Sequence, residues 1–153
     1  MLKDPKRVIE ELERHRARML YAKKQIEEWD FLDEEIFEDP QKVAVIDSFI
    51  FRFSKMQDSM GKKLFPLTLQ LLGEDVENLP FIDWLNRLER LGLIPSAEEW
   101  LQLRSLRNLI IHTYPWETEK ILKNLKEALK ATELLEEVYA TFRKLLEERG
   151  FLK

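Results

Sequence analysis

Side chains suited to a helix interior recur at spacings of three and four along most of this chain of 153 residues. That spacing is the period of an amphipathic α-helix. The chain has only 4 glycines and 6 prolines, which leaves few residues for the turns of a β fold. The spacing therefore predicts an all-α protein. The first stripe consists of Val8, Leu12, His15, Met19, Ala22, Ile26 and Trp29.

Capping and breaking residues divide this pattern into separate helices. A helix start is predicted where Ser or Asp is followed by a proline or by acidic residues in the first turn. A helix end is predicted at a glycine. Pro66 is expected to kink or break the second helix around residues 62–66. Residues 1–153 are predicted to form one domain, an up-and-down bundle of four to five helices. The predicted helices cover residues 5–29, 40–73, 80–91, 95–113 and 116–149, and residues 30–39 are an acidic connection.

The composition excludes several classes of protein. No cysteine is present, so disulfides and cysteine-bound metal sites are excluded. No apolar run approaches the roughly 20 residues of a membrane helix, and the N-terminus lacks a signal sequence, so the chain is expected to be cytoplasmic and not membrane-bound. The net charge of −4 argues against a protein that coats nucleic acid, but is compatible with an enzyme that contacts RNA through a local basic cleft.

One polar segment stands out at the end of the fourth predicted helix. Because each helical residue advances about 100°, Arg104, Asn108 and His112 should form one row, with Arg107 beside it. Histidine transfers protons near neutral pH, and arginine binds phosphate through two parallel hydrogen bonds. This combination suits cleavage of a phosphodiester without a metal or other cofactor, with Asn108 and Arg104 binding or orienting the substrate.

The two central side chains of this segment are not expected to meet on one helix. Arg107 and His112 lie about 140° apart around the helix axis, so a single helix cannot easily bring both to one phosphate. A two-fold dimer can, because it brings the strips of two copies together. The residues therefore favour a homodimer with a site shared between copies.

The complete segment runs from Arg107 through Asn108 and His112 to Tyr114, which precedes a proline. It resembles the arginine-x4-histidine-x-tyrosine motif of HEPN-domain toxins of the HepT type. That resemblance implies a homodimeric, metal-independent ribonuclease in which Arg107 and His112 are catalytic. It also implies a partner, the minimal nucleotidyltransferase antitoxin called MNT, which adds AMP to Tyr114 and so blocks RNA binding.

Two other interpretations of the segment remain open. Related members of the same superfamily are described as non-catalytic substrate-binding partners of nucleotidyltransferases. In a plainer interpretation, the chain is a helical scaffold, His112 is a favourable charge at a helix C-terminus, and Tyr114 is a packed aromatic residue.

Other residues give weaker indications. His15 lies on the stripe of the first helix and is expected to face the bundle or an interface, although the arginines around it are also suited to contacting RNA. Asp58 is expected to pair with Lys62 on the surface, or to orient Arg107 or His112 if the second and fourth helices are neighbours. The four tryptophans are expected to be core or interface anchors, with base stacking as an alternative for Trp116.

Overall fold

The computed structural model describes residues 3–153, in which every regular element is helical. The predicted all-α bundle is confirmed. Helices α2 and α3 are joined by a π-helical turn at Met60–Leu64, so the six helices form five rods. The α-helices are α1 Pro5–Glu27, α2 Pro40–Ser59, α3 Phe65–Leu71, α4 Phe81–Arg90, α5 Ala97–Ile111 and α6 Thr118–Glu148.

Three of the six α-helices start at a single capping side chain. Asp39 accepts a hydrogen bond from the backbone N–H of Gln41 at 2.9 Å, and Ser96 accepts one from that of Glu99 at 3.2 Å. These bonds satisfy backbone donors that the first helical turn leaves unpaired. The starts predicted from these residues are thus confirmed, although α5 ends at Ile111 and α6 begins only at Thr118.

The predicted kink or break around Pro66 takes the form of a π-helical turn. The backbone N–H of Phe65 bonds to the carbonyl of Met60, five residues back. Proline has no N–H and its ring crowds the preceding helical turn, and the wider π turn just before Pro66 lets the helix continue without a break. Such turns are frequent near functional sites.

The acidic segment between α1 and α2 is more than a connection. Glu34–Glu38 forms a 3-10 helix, and Ile36 is buried within the core. This short helix closes the bundle at the end where α5 and α6 meet, as Thr118 at the start of α6 donates a hydrogen bond to Glu34.

An aromatic cluster fixes helix α5 against the rest of the bundle. The ring of Phe65 lies 4.6 Å from that of Trp100 and 4.9 Å from that of Phe142, measured between centroids. All three side chains are fully buried, so α3, α5 and α6 share one rigid core. Among the helices of residues 3–153, none combines the length and hydropathy needed to span a bilayer.

Candidate active site at the end of helix α5

His112 is the residue that ends helix α5. Its backbone N–H still bonds to the carbonyls of Asn108 and Ile110, while its side chain is exposed. The imidazole lines an open cleft between α5 and the start of α6, together with Ser105, Asn108, Lys120, Lys123 and Asn124. We call this the His112 cleft. Glu117 also lines it, so the cleft contains two lysines and one carboxylate in a protein of net negative charge.

The loop after His112 is held by side-chain bonds to the backbone. The hydroxyl of Thr113 donates to the carbonyl of Leu109 at 2.6 Å, and the Asn124 amide donates to that hydroxyl at 3.4 Å. Tyr114 donates its backbone N–H to the carboxylate of Glu117 at 3.0 Å, and Glu117 returns a backbone bond of 3.0 Å. These bonds fix the floor of the His112 cleft.

Glu117 is itself fixed by a neighbouring cation. The hydrogen bond from Lys120, together with that from the Tyr114 backbone, holds the pKa of Glu117 below its usual value. The Lys120–Glu117 ion pair spans 2.7 Å. Lys120 is therefore oriented at the rim of the His112 cleft with its charge paired to Glu117, and Lys123 is the second lysine of the cleft.

Tyr114 and Trp116 form an exposed aromatic pair next to His112. Their rings are stacked, 4.7 Å apart and within 4° of parallel, with Pro115 between them in the chain. Tyr114 is 58% and Trp116 75% exposed. Trp116 is therefore not a core anchor of the monomer, unlike Trp100, and the phenol of Tyr114 is accessible to a second macromolecule.

Arg107 lies on the opposite side of α5 from His112. Its Nε donates to the side-chain oxygen of Gln57 at 3.2 Å, and its Nη2 lies 3.3 Å from the carboxylate of Asp58. The structure therefore places Asp58 beside Arg107 and not beside His112. Arg107 lines a second cleft with Ser54, Lys55 and Ile111, which we call the Arg107 cleft.

The predicted row of Arg104, Asn108 and His112 is only partly assembled. Asn108 and His112 share the His112 cleft, whereas the Arg104 guanidinium lies over the ring of Phe81 at 4.9 Å. The row fails at Arg104 because α4 packs beside that part of α5 and offers an aromatic face, to which a guanidinium is attracted.

Large apolar side chains are exposed around both clefts. Of the nine exposed large hydrophobic residues in the described chain, four fall between residues 109 and 116, and Phe51 lines the Arg107 cleft. Patches of this kind mark interfaces in soluble proteins. The four are Leu109, Ile111, Tyr114 and Trp116, and with Phe51 we call them the α5-end patch.

Several residues of these clefts were not predicted from the sequence. Three of them lie on the polar face of the last helix, and nothing in their spacing distinguishes them from other solvated polar side chains. They are Lys120, Lys123 and Asn124. The i, i+4 relation of Lys120 and Asn124 was a usable signal, but only with the knowledge that α6 returns beside α5.

His15, the second histidine, faces the bundle as predicted. Its Nδ1 lies 3.1 Å from a guanidinium nitrogen of Arg52, and its Nε2 lies 3.5 Å from Glu11, which also accepts a hydrogen bond from Lys63 at 2.6 Å. Burial lowers the pKa of His15 below 6.5, and the charges of Arg52 and Lys55 act in the same direction against the opposing effect of Glu11. His15 is thus a packing residue between α1 and α2.

The depressed pKa of His15 predicts a pH dependence of stability. Because the unfolded chain binds the proton more tightly, the free energy of unfolding should fall as the pH drops below 6.5. A His15→Gln variant, which cannot titrate, should show a shallower fall between about pH 5 and 6.5. Urea unfolding of both proteins between pH 5 and 8 measures this, and equal slopes would contradict it.

Within residues 3–153 no group of three or more His, Asp or Glu side chains is placed to hold a metal ion. Comparisons with models of known protein families, with curated proteins and with solved structures found no match.

Proposed function

We propose that this chain is a HEPN ribonuclease of the HepT type, a toxin that cleaves RNA as a homodimer and is neutralised by a nucleotidyltransferase antitoxin. One observation carries the proposal: Arg107 and His112 line separate clefts on opposite sides of the same rigid helix end, and an exposed apolar patch lies around both. A monomer cannot close them on one phosphate, whereas two copies that pair through this patch can.

The proposed reaction uses the RNA itself as the nucleophile. The 2′-oxygen attacks phosphorus and the bond to the 5′-oxygen of the next nucleotide breaks. The products are a 2′,3′-cyclic phosphate and a 5′-hydroxyl. The 2′-hydroxyl loses a proton and the departing 5′-oxygen gains one. His112 transfers one of these two protons, and solvent water exchanges the other. Arg107 stabilises the charge on the non-bridging phosphoryl oxygens.

Arg107 retains donors for this role in spite of its intramolecular partners. A guanidinium has five N–H donors, and the contacts to Gln57 and Asp58 engage Nε and Nη2. The hydrogens on Nη1 are left for a phosphate. Gln57 is buried and Asp58 half-buried, so these contacts hold the guanidinium in one orientation, which is what charge stabilisation in a transition state requires.

Tyr114 is the proposed site of neutralisation. Its phenol oxygen would attack the α-phosphorus of ATP, displace pyrophosphate and become an AMP ester. Tyr114 is exposed and adjacent in the chain to the loop that carries His112, so an added phosphate and nucleoside would occupy the cleft and repel RNA phosphates.

Cleavage of RNA by purified protein tests the proposal. The intact mass first establishes that the protein carries no AMP. The protein is then incubated with chelator and either an RNA or the DNA of the same sequence. The proposal predicts RNA fragments that end in 2′,3′-cyclic phosphate and intact DNA, because only RNA carries the internal nucleophile. Cleavage of both substrates would contradict the mechanism.

The exposed Tyr114–Trp116 pair supports a second candidate function. An aromatic pair this accessible is also suited to binding a partner protein, as in a non-catalytic substrate-binding subunit of a two-component nucleotidyltransferase. This candidate predicts that unmodified protein leaves RNA intact, while the activity of the partner depends on this chain. The scaffold alternative predicts that Arg107, His112 and Tyr114 can all be replaced without loss of either activity.

A further inference from the structure

An apolar pocket adjoins the His112 cleft. It has a volume of about 270 Å³ and lies between the 3-10 helix, α2, the end of α5 and the start of α6. Its walls include Phe37, Ile46, Ile50, Ile110 and Ile121. The size is close to the lower limit of small-ligand sites, and apolar walls with a few polar groups are typical of them.

Two polar side chains accompany these apolar walls. Asp47 lies at the rim of the pocket, where it is exposed and also lines the Arg107 cleft. Its carboxylate has no hydrogen-bond or ion-pair partner among residues 3–153, and the part of it that is buried raises its pKa. The amide of Asn124 donates one N–H to Thr113, which leaves its second N–H and its oxygen free. The pocket thus offers an acceptor without a donor and an amide with unused capacity.

The pocket and the His112 cleft share two residues. Thr113 and Asn124 line both, so a molecule that fills the pocket reaches the cleft across the Asn124–Thr113 hydrogen bond. Lys120 and Lys123 lie in that cleft, where they would meet an anion attached to the occupant. An apolar ring linked to a phosphate has this shape and charge distribution.

Resting on the proposed ribonuclease function, we infer that this pocket binds a guanine base of the RNA substrate and places an adjoining phosphodiester at His112. A carboxylate only accepts hydrogen bonds. Guanine presents two adjacent donors, N1–H and the exocyclic amine, on its Watson–Crick edge, and these match the two oxygens of Asp47. On the same edge, adenine, cytosine and uracil each present one donor beside a lone-pair acceptor, which a carboxylate repels. Unstacked bases in single-stranded RNA are commonly recognised on this edge.

Binding of mononucleotides tests the inference without cleavage. GMP, AMP, CMP and UMP are titrated into the purified protein, and the NMR signals of the Thr113 backbone amide and the Asn124 side-chain amide are followed. GMP should bind at least about tenfold more tightly than the other three, the discrimination of one good bidentate contact. Asp47→Asn should abolish this preference, while Asp30→Asn, the same change at an exposed site outside the pocket, should keep it.

The outcomes separate the pocket from the enzyme. Equal binding of all four nucleotides, or a GMP preference that survives in Asp47→Asn, would overturn the inference. So would the absence of any shift, the result expected if a side chain of a second copy fills the pocket. RNA cleavage without preference for bonds that flank guanosine would contradict the guanine pocket and still support the ribonuclease function. Selective GMP binding by a protein that leaves RNA intact would support the guanine pocket and contradict the ribonuclease function.

Discussion

Replacing His112 by alanine is expected to lower the rate of RNA cleavage by a factor of about 10² to 10⁴, the contribution of a positioned general acid or base. The side chain is exposed at the helix end and serves no packing role. The variant should therefore keep the wild-type fold and unfolding midpoint. Single-turnover cleavage of a labelled RNA, with urea unfolding of the same preparation, measures both quantities.

The other histidine supplies the matched control. His15 packs between α1 and α2 and lines neither cleft, so His15→Gln should cleave RNA like the wild type above pH 6.5. Full cleavage by His112→Ala, or equal loss in both variants, would show that His112 has no chemical role.

Replacing Arg107 by alanine should lower the rate by a factor of about 10² to 10³, the usual loss when one donor to a developing oxyanion is removed. Arg107→Lys should recover little, because an ammonium lacks the planar fork that contacts Gln57, Asp58 and phosphate together. The variant should also lose some stability, since the buried side-chain oxygen of Gln57 loses its donor and Asp58 keeps only its ion pair with Lys62. The same cleavage and unfolding assays apply.

An arginine with no hydrogen bond or ion pair within residues 3–153 controls for the lost positive charge. Arg90 is exposed on α4 and lines neither cleft, and Arg90→Ala should cleave RNA normally. If Arg107→Ala lost activity only in proportion to its unfolded fraction, or if Arg107→Lys were fully active, Arg107 would be a structural cation and not a stabiliser of the transition state.

Three helix starts were predictable from the sequence because each depends on a capping side chain that is adjacent in the chain. Asp39 before Pro40 and Ser96 before Glu99 are local signals, and the structure shows the hydrogen bonds they predict. The 3-10 helix was missed because its one buried contact, Ile36, is isolated among acidic residues. Capping residues identify the ends of helices well. Burial that depends on contacts with distant elements is poorly predicted from the sequence.

The candidate site was predictable only along its own helix. The spacing of Asn108 and His112 correctly placed them in one cleft, and the angle between Arg107 and His112 correctly separated them. The separation of Arg104 from this row depends on Phe81, and the orientation of Arg107 depends on Gln57 and Asp58. Those contacts come from other helices, so no pattern within α5 contains them.

In the proposed enzyme, one reaction centre takes Arg107 from one copy and His112 from another. Mixing Arg107→Ala and His112→Ala proteins under conditions of subunit exchange tests it directly. Each mixed dimer would contain one intact centre and one doubly altered centre. Half of the dimers would be mixed at equal amounts, so about a quarter of wild-type activity should return from two nearly inactive proteins. No recovery from fully exchanged dimers would contradict the shared centre.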